Sequence, residues 1–276
     1  MSHTAVKVSP PAASGLSAQE RAIIDVFIAA EKPTVTVADV IAVRPVTRPH
    51  AAQILVRLSR KGWLVRVARG AYSVVRLGLP GANPSADAWA LAMALFAPCY
   101  VSGWTAAEHW DLTEQIFNTT SVVTSRPQRH RDRIVAGNRF VFRVADKNTF
   151  FGITSVWNGS QRVDLADPHR LVIDVLAAPD FGGGARHTLD IVRNYFRSKH
   201  ADPEKLIVYA QRFGRGVVFK RLGFCAETFA APSAEWVQRC KAGMSQGISQ
   251  LDPNGAKRGR VVSRWRLRIN TPVDET

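Results

Sequence analysis

Apolar residues recur at helical spacing in the first part of the chain. The first apolar face consists of Ile23, Ile24, Phe27 and Ile28. The capping box Ser17-Ala-Gln-Glu20 marks the start of this helix. A short second helix is predicted after Thr36 and stops at Pro45, and a third begins at Thr47 and ends before Gly62. The pattern predicts three helices in close succession.

The third predicted helix has one apolar and one polar face. The apolar face is formed by Ala51, Ile54, Leu55 and Leu58. The polar face is formed by His50, Gln53, Arg57 and Arg60 or Lys61. A DNA recognition helix needs this division, because apolar groups hold it on its domain while Gln and Arg reach base edges.

Two short apolar segments, residues 63–67 and 71–75, follow as predicted strands with a turn at 68–70. This hairpin is typical of the wing of a winged helix-turn-helix. Arg69 lies at its predicted tip, where it can enter the minor groove or contact phosphate. Arg66 and Arg76 are placed to contact the DNA backbone.

Charge strengthens this interpretation. The formal net charge is +15, and residues 40–86 contain no Asp or Glu. Phosphate neutralisation and counterion release would use such a surface. The predicted DNA-binding residues are Arg44, Arg48, His50, Gln53, Arg57, Arg60, Lys61, Arg66, Arg69 and Arg76. The alternative is a solvated basic face, although such faces usually mix both signs of charge.

A Pro- and Gly-rich stretch at 79–84 indicates a domain boundary. An apolar helix is predicted directly after it, at 86–96. Mainly strands, including a hairpin at Asn158-Gly159, come next, and mainly helices follow. We therefore predict an α+β chain, with an N-terminal winged helix-turn-helix and a larger mixed α/β domain. The predicted segments are a disordered N-terminus at 1–16, the winged helix at 17–79, the α+β domain at 85–240 and a mobile basic segment at 241–276.

Two further basic regions lie outside the predicted winged helix. A loop carries Arg126, Arg129, Arg131 and Arg133, which are interpreted either as a secondary DNA contact or as a solvated loop. Near the C-terminus, Arg264, Arg266 and Arg268 alternate with apolar residues, which predicts a final strand with one charged face.

No constellation of residues indicates catalysis, and neither a cofactor nor a metal site is predicted. Cys99, Cys225 and Cys240 are widely spaced and are expected to be buried free thiols. The apolar runs are too short and interrupted for a transmembrane helix, and residues 1–17 do not resemble a signal peptide. We expect a cytoplasmic, non-enzymatic protein.

Five sequence segments, taken together in their order along the chain, resemble the AbiEi-like antitoxins of type IV toxin–antitoxin (abortive infection) systems. They are KGWLVRVARGAYSV, YVSGWTAAEHWDLTEQIFNTTSVVTSR, FFGI, VDLADPHRLVIDVLAAPDFGGG and VVFKRLGF. The resemblance implies an antitoxin that represses its own operon by binding inverted repeats in double-stranded operator DNA. It also implies a functional partner, a nucleotidyltransferase-like toxin, which need not form a stable complex with the antitoxin.

Two alternatives to this function remain open at the level of sequence. One is a stand-alone winged-helix transcriptional regulator whose second domain binds a ligand or dimerises. The other is a DNA-targeted nuclease or modification enzyme. A toxin gene next to this one would favour the antitoxin, and metal-dependent cleavage of DNA would favour the enzyme.

Overall fold

Residues 15–75 and 87–273 are described by a computed structural model. Within them the chain forms two compact units. The first comprises the described part of Met1–Phe96 together with Arg133–Arg139 and Trp157–Arg162. The second comprises Ala97–Asp132, Phe140–Val156 and the described part of Val163–Thr276. Arg76 and residues 1–14 of the predicted disordered N-terminus lie outside the described residues.

The first unit contains the predicted winged helix-turn-helix. Its elements are α1 (Ala18–Ala29), β1 (Val35–Thr36), α2 (Val37–Val43), α3 (Arg48–Arg60), β2 (Leu64–Ala68) and β3 (Ala71–Val74). The strands form an antiparallel sheet in the order β1-β3-β2. The capping box at Ser17 and Glu20 is present, and Gly70 takes φ +76° in the wing turn, where a residue with a Cβ would be strained.

The core of the winged helix consists of the apolar faces that the sequence predicts. Ile24, Phe27, Leu55 and Leu58 are almost completely buried, and Val40 of α2 joins them. Trp63 packs against this cluster. Burial of these side chains orients α3, so its opposite face is directed to solvent.

The first unit does not end at the predicted boundary. Helix α4 (Ala88–Phe96), which the prediction assigned to the second domain, belongs to the first unit. The amide of Asn158 donates to Asp87 Oδ1 at 2.8 Å, and Gln161 donates to the carbonyl oxygen of Glu31 at 3.2 Å. These contacts join residues far apart in sequence, so no local pattern could have revealed them.

A six-stranded sheet runs in the order β6-β7-β5-β4-β9-β8. Its strands are β4 (Cys99–Val101), β5 (Thr119–Thr124), β6 (Asp132–Val135), β7 (Asn138–Val144), β8 (Ile153–Asn158) and β9 (Gln161–Ala166). β4 pairs antiparallel with β5 and parallel with β9. The β8–β9 hairpin is the one predicted at Asn158-Gly159, and Gly159 has φ +59°.

Six helices are described in the second unit. They are α5 (Gly103–His109), α6 (Pro168–Ala177), α7 (Ala185–Arg197), α8 (Pro203–Phe213), α9 (Gly216–Phe229) and α10 (Ala234–Ala242). α6 is capped by Asp167, as predicted, and all but its last residue are buried. The α+β prediction is confirmed.

A buried ionic network lies at α6. Asp174 is fully buried and accepts hydrogen bonds from Tyr100 at 3.0 Å and Ser102 at 2.9 Å. Its other carboxylate oxygen accepts from Arg170 Nε at 3.2 Å and from Arg143 Nη1 at 3.4 Å. Every lone pair of this carboxylate is directed at a donor, which compensates for the cost of burying its charge.

The C-terminal segment differs from the predicted mobile tail. Residues 249–269 form a small sheet, with β10 (Ser249–Gln250), β11 (Arg260–Val262) and β12 (Leu267–Ile269) in the order β10-β12-β11. The predicted final strand begins only at Leu267, because a 3₁₀ turn and a left-handed Arg266 (φ +47°) precede it.

Helix α9 holds this segment through two buried cations. Lys220 Nζ donates to the carbonyl oxygen of Gly247 at 2.8 Å, and Arg221 Nη2 donates to that of Gln250 at 2.8 Å. Burial lowers the pKa of Arg221 to about 10. Trp265 is fully buried, packs over Gly223 and donates to Glu227 Oε2 at 2.6 Å. Carbonyl oxygens and an indole ring thus anchor a segment whose composition predicts mobility.

Candidate nucleic-acid interface

The N-terminal half of α3 presents free polar side chains. Arg48, His50 and Gln53 are exposed, and no hydrogen bond or ion pair to another described residue engages them. Thr47 occupies the N-cap position and Pro49 the first turn. In helix-turn-helix proteins the residues that contact base edges come from this end of the recognition helix. Gln53, which with Arg57 is predicted to reach base edges, is therefore available at this end.

The C-terminal half of α3 has an acidic partner from another helix. Glu20 of α1 is 3% exposed, and its two carboxylate oxygens accept from Lys61 Nζ at 2.7 Å and Arg57 Nε at 2.8 Å. These bonds, with the Ser17 backbone N–H, lower the pKa of Glu20 to about 2. The polar face of α3 has no acidic residue of its own, but in the fold Glu20 of α1 lies against it.

This ion-pair cluster changes what Arg57 can do. Its Nε is committed to Glu20, although the side chain as a whole is 53% exposed. Arg60 is exposed and has no described partner, whereas Arg44 donates to the side-chain oxygen of Gln19 at 2.8 Å. Glu20 holds Arg57 and Lys61 in position. They are therefore better suited to contact phosphate, or to hold α3 against α1, than to contact a base edge.

The wing carries the remaining predicted contacts. Arg69 is exposed in the turn between β2 and β3. Arg66 is exposed beside a bulge between Arg66 and Ala68, and its Nε donates to the carbonyl oxygen of Ala68 at 3.3 Å. The described part of the first unit therefore directs Arg48, Gln53 and Arg69 to solvent.

The Glu20 cluster makes the stability of the first unit sensitive to acid. The pKa of Glu20 is lowered on folding, so its stabilising effect is complete above about pH 4.5 and is lost as the pH falls through about 2. We expect Glu20→Gln to lower the free energy of unfolding by about 1–3 kcal/mol near pH 6, and to have little effect near pH 2. Urea denaturation of both proteins at the two pH values measures this difference. The exposed Glu31→Gln is the matched control, and an equal loss in both variants would contradict the cluster's role.

The four arginines of the predicted secondary DNA contact differ in their local contacts. Arg131 forms an ion pair with Asp180, whereas Arg133 lies over the Phe96 ring at 6.0 Å. Arg133 belongs to the first unit, and Arg126, Arg129 and Arg131 belong to the second. The four arginines are exposed, but their predicted role as a shared DNA contact stays a prediction.

The three cysteines are free and buried. Burial raises the pKa of Cys99, Cys225 and Cys240 to about 12 in each case, which makes them poor nucleophiles at neutral pH. Among the described residues no group of three or more His, Cys, Asp or Glu side chains could hold a metal ion. No described helix is long and apolar enough to cross a membrane.

Comparison with known proteins places this geometry in context. The fold is similar to the crystal structure of the RV2827C protein from Mycobacterium tuberculosis, with a TM-score of 0.65, 13% identity and 94% of each chain covered. At this identity the likeness shows the fold alone. No curated protein matches the chain. Residues 24–75, from α1 to the end of the wing, match the family model described as "Transcriptional regulator, AbiEi antitoxin", and so the resemblance predicted from the sequence is confirmed for the winged-helix region.

Proposed function

We propose that this protein is the antitoxin of a type IV toxin–antitoxin system and that it also binds operator DNA and represses its own operon. The observation that supports this most strongly is the match of residues 24–75 to an antitoxin and regulator family, on a winged helix that exposes Arg48, His50 and Gln53. Its functional partner is a nucleotidyltransferase-like toxin, and it acts in the cytoplasm without catalysis of its own.

DNA binding by the full chain should weaken strongly with salt. The expected contacts at the recognition helix and wing are mainly to phosphate, so raising salt from about 50 to about 200 mM should reduce affinity by at least about tenfold. Fluorescence anisotropy with the DNA upstream of the gene measures this. Affinity that does not change with salt would contradict phosphate contact by this basic surface.

Substitutions separate base readout from backbone contact. Gln53→Ala should cost about 1–3 kcal/mol on the operator and little on random DNA, because its amide has no described partner and can reach a base edge. Arg69→Ala should weaken binding to both DNAs by a similar factor. Arg162→Gln removes an exposed charge outside the winged helix and is the matched control. Equal losses on both DNAs for Gln53→Ala would refute readout by this residue.

Toxin neutralisation should not depend on DNA binding. Truncation at residue 84 would divide the first unit, since Ala88–Phe96, Arg133–Arg139 and Trp157–Arg162 belong to it. The full chain carrying Gln53→Ala and Arg69→Ala is the appropriate test, expressed from an unrelated promoter with the neighbouring toxin gene. We expect this variant to restore growth while failing to repress its own operon. Failure to restore growth, at wild-type protein level, would show that protection requires DNA binding.

A further inference from the structure

A surface cavity of about 370 Å³ lies entirely within the second unit, beneath the loop that precedes β6. Arg129, His130 and Arg131 line it from the loop, and Arg143 of β7 lines it from the sheet. This volume falls in the range of small-ligand pockets. The proposed antitoxin function does not use this cavity.

The positive charge of the cavity is fixed in position. Arg143 is 16% exposed, and its Nη1 donates to the backbone carbonyl oxygen of Asp174 at 3.2 Å and to Oδ1 of the same residue at 3.4 Å. Arg131 is paired with Asp180, which is the one carboxylate among the described lining residues. Arg129 has no described partner. Arg143 shares the Asp174 carboxylate with the buried Arg170, so one carboxylate faces two guanidinium groups there. Together with Arg129, this leaves a surplus of positive charge for an anion to neutralise.

The rest of the wall is apolar. Phe142 and Phe181 close the cavity on the inside and are 5% and 1% exposed. Val144 is 52% exposed, and Ala178 is partly exposed. A small organic group could lie against these side chains while an attached anion meets the arginines, which is the usual division of a ligand site into apolar walls and few polar contacts.

We propose that this cavity binds a small phosphate monoester, with its phosphate at Arg129 and Arg143 and its organic part against Val144 and Ala178. A DNA backbone has the same phosphate chemistry, and it could reach the exposed Arg129. It fits the cavity less well, because Arg143 is recessed in the wall. The small-molecule source is therefore favoured.

Isothermal titration of the full chain with AMP, adenosine and inorganic phosphate tests the proposal. AMP should bind, adenosine should not bind measurably, and inorganic phosphate should bind more weakly than AMP. Arg129→Gln should weaken AMP binding by about tenfold or more, and Ala178→Phe should do the same by filling the cavity. Arg162→Gln, outside the cavity, should leave the affinity unchanged, and circular dichroism checks that each variant is folded.

Two results would overturn the proposal. The first is equal affinity for AMP and adenosine, or an affinity for AMP that Arg129→Gln and Ala178→Phe do not change. The second concerns the source of the phosphate. If Arg129→Gln weakens the binding of a random DNA duplex and AMP does not bind to the wild type, then the loop contacts a DNA backbone instead.

Discussion

Replacing Asp174 with asparagine is expected to destabilise the second unit by about 3–5 kcal/mol. The fully buried carboxylate of Asp174 is the counter-ion of Arg170, whose side chain is 1% exposed. Asparagine has nearly the same shape but no charge, so it leaves the buried Arg170 guanidinium without a counter-ion. Burial of Arg170 between the Phe151 and Phe213 rings, at 4.4 and 5.1 Å, gives it no route to water.

Hydrogen exchange of peptides from β4 and α6 measures this loss without interference from the first unit. Protection there should fall by a factor of about 150 to 5000. Asp164→Asn is the matched control, because Asp164 is exposed and accepts a hydrogen bond only from Ser155 among the described contacts. The double variant Arg170→Met/Asp174→Leu should lose less than Asp174→Asn, because it removes the buried Arg170 guanidinium together with its counter-ion. Equal protection in Asp174→Asn and Asp164→Asn would refute the role of Asp174 as the stabilising counter-ion of Arg170.

Trp265→Ala should release the C-terminal segment from α9 at a cost of about 3–5 kcal/mol. The indole fills the space over Gly223, where an added Cβ would lie 2.1 Å from the ring, and its N–H donates to Glu227. Alanine leaves a cavity in place of the ring and an unpaired carboxylate oxygen. Arg266 and Arg268, which are partly buried, should then become accessible to protease.

Limited trypsin digestion followed by mass spectrometry measures this release. Lys257, Arg258 and Arg260 are exposed, so trypsin should cleave after them in both the wild type and the variant. Cleavage after Arg266 and Arg268 should be faster in Trp265→Ala than in the wild type. Trp157→Ala is the matched control, since Trp157 is 71% exposed. Unchanged cleavage after Arg266 would mean that Lys220 and Arg221 hold the segment without the indole.

The winged helix could be predicted in detail because its signals are local. Capping at Ser17 and Asp39, the stop at Pro45 and the positive φ of Gly62 and Gly70 act within a few residues of the chain. The i, i+3, i+4 spacing of Ile54, Leu55 and Leu58 determines which face of α3 is buried. These effects need no knowledge of distant residues.

The sequence alone indicated the order of elements in the winged helix, the apolar face of α3, and the resemblance that the comparisons confirm for residues 24–75. Long-range contacts in the fold were needed to show that Glu20 pairs with both Arg57 and Lys61, that Ala88–Phe96 joins the first unit, and that the basic C-terminal segment packs on α9. The physical reason is the same in each case. Charge pairing, burial of Trp265 and the bonds of Lys220 act between residues distant in the chain, whereas composition and periodicity report only near neighbours.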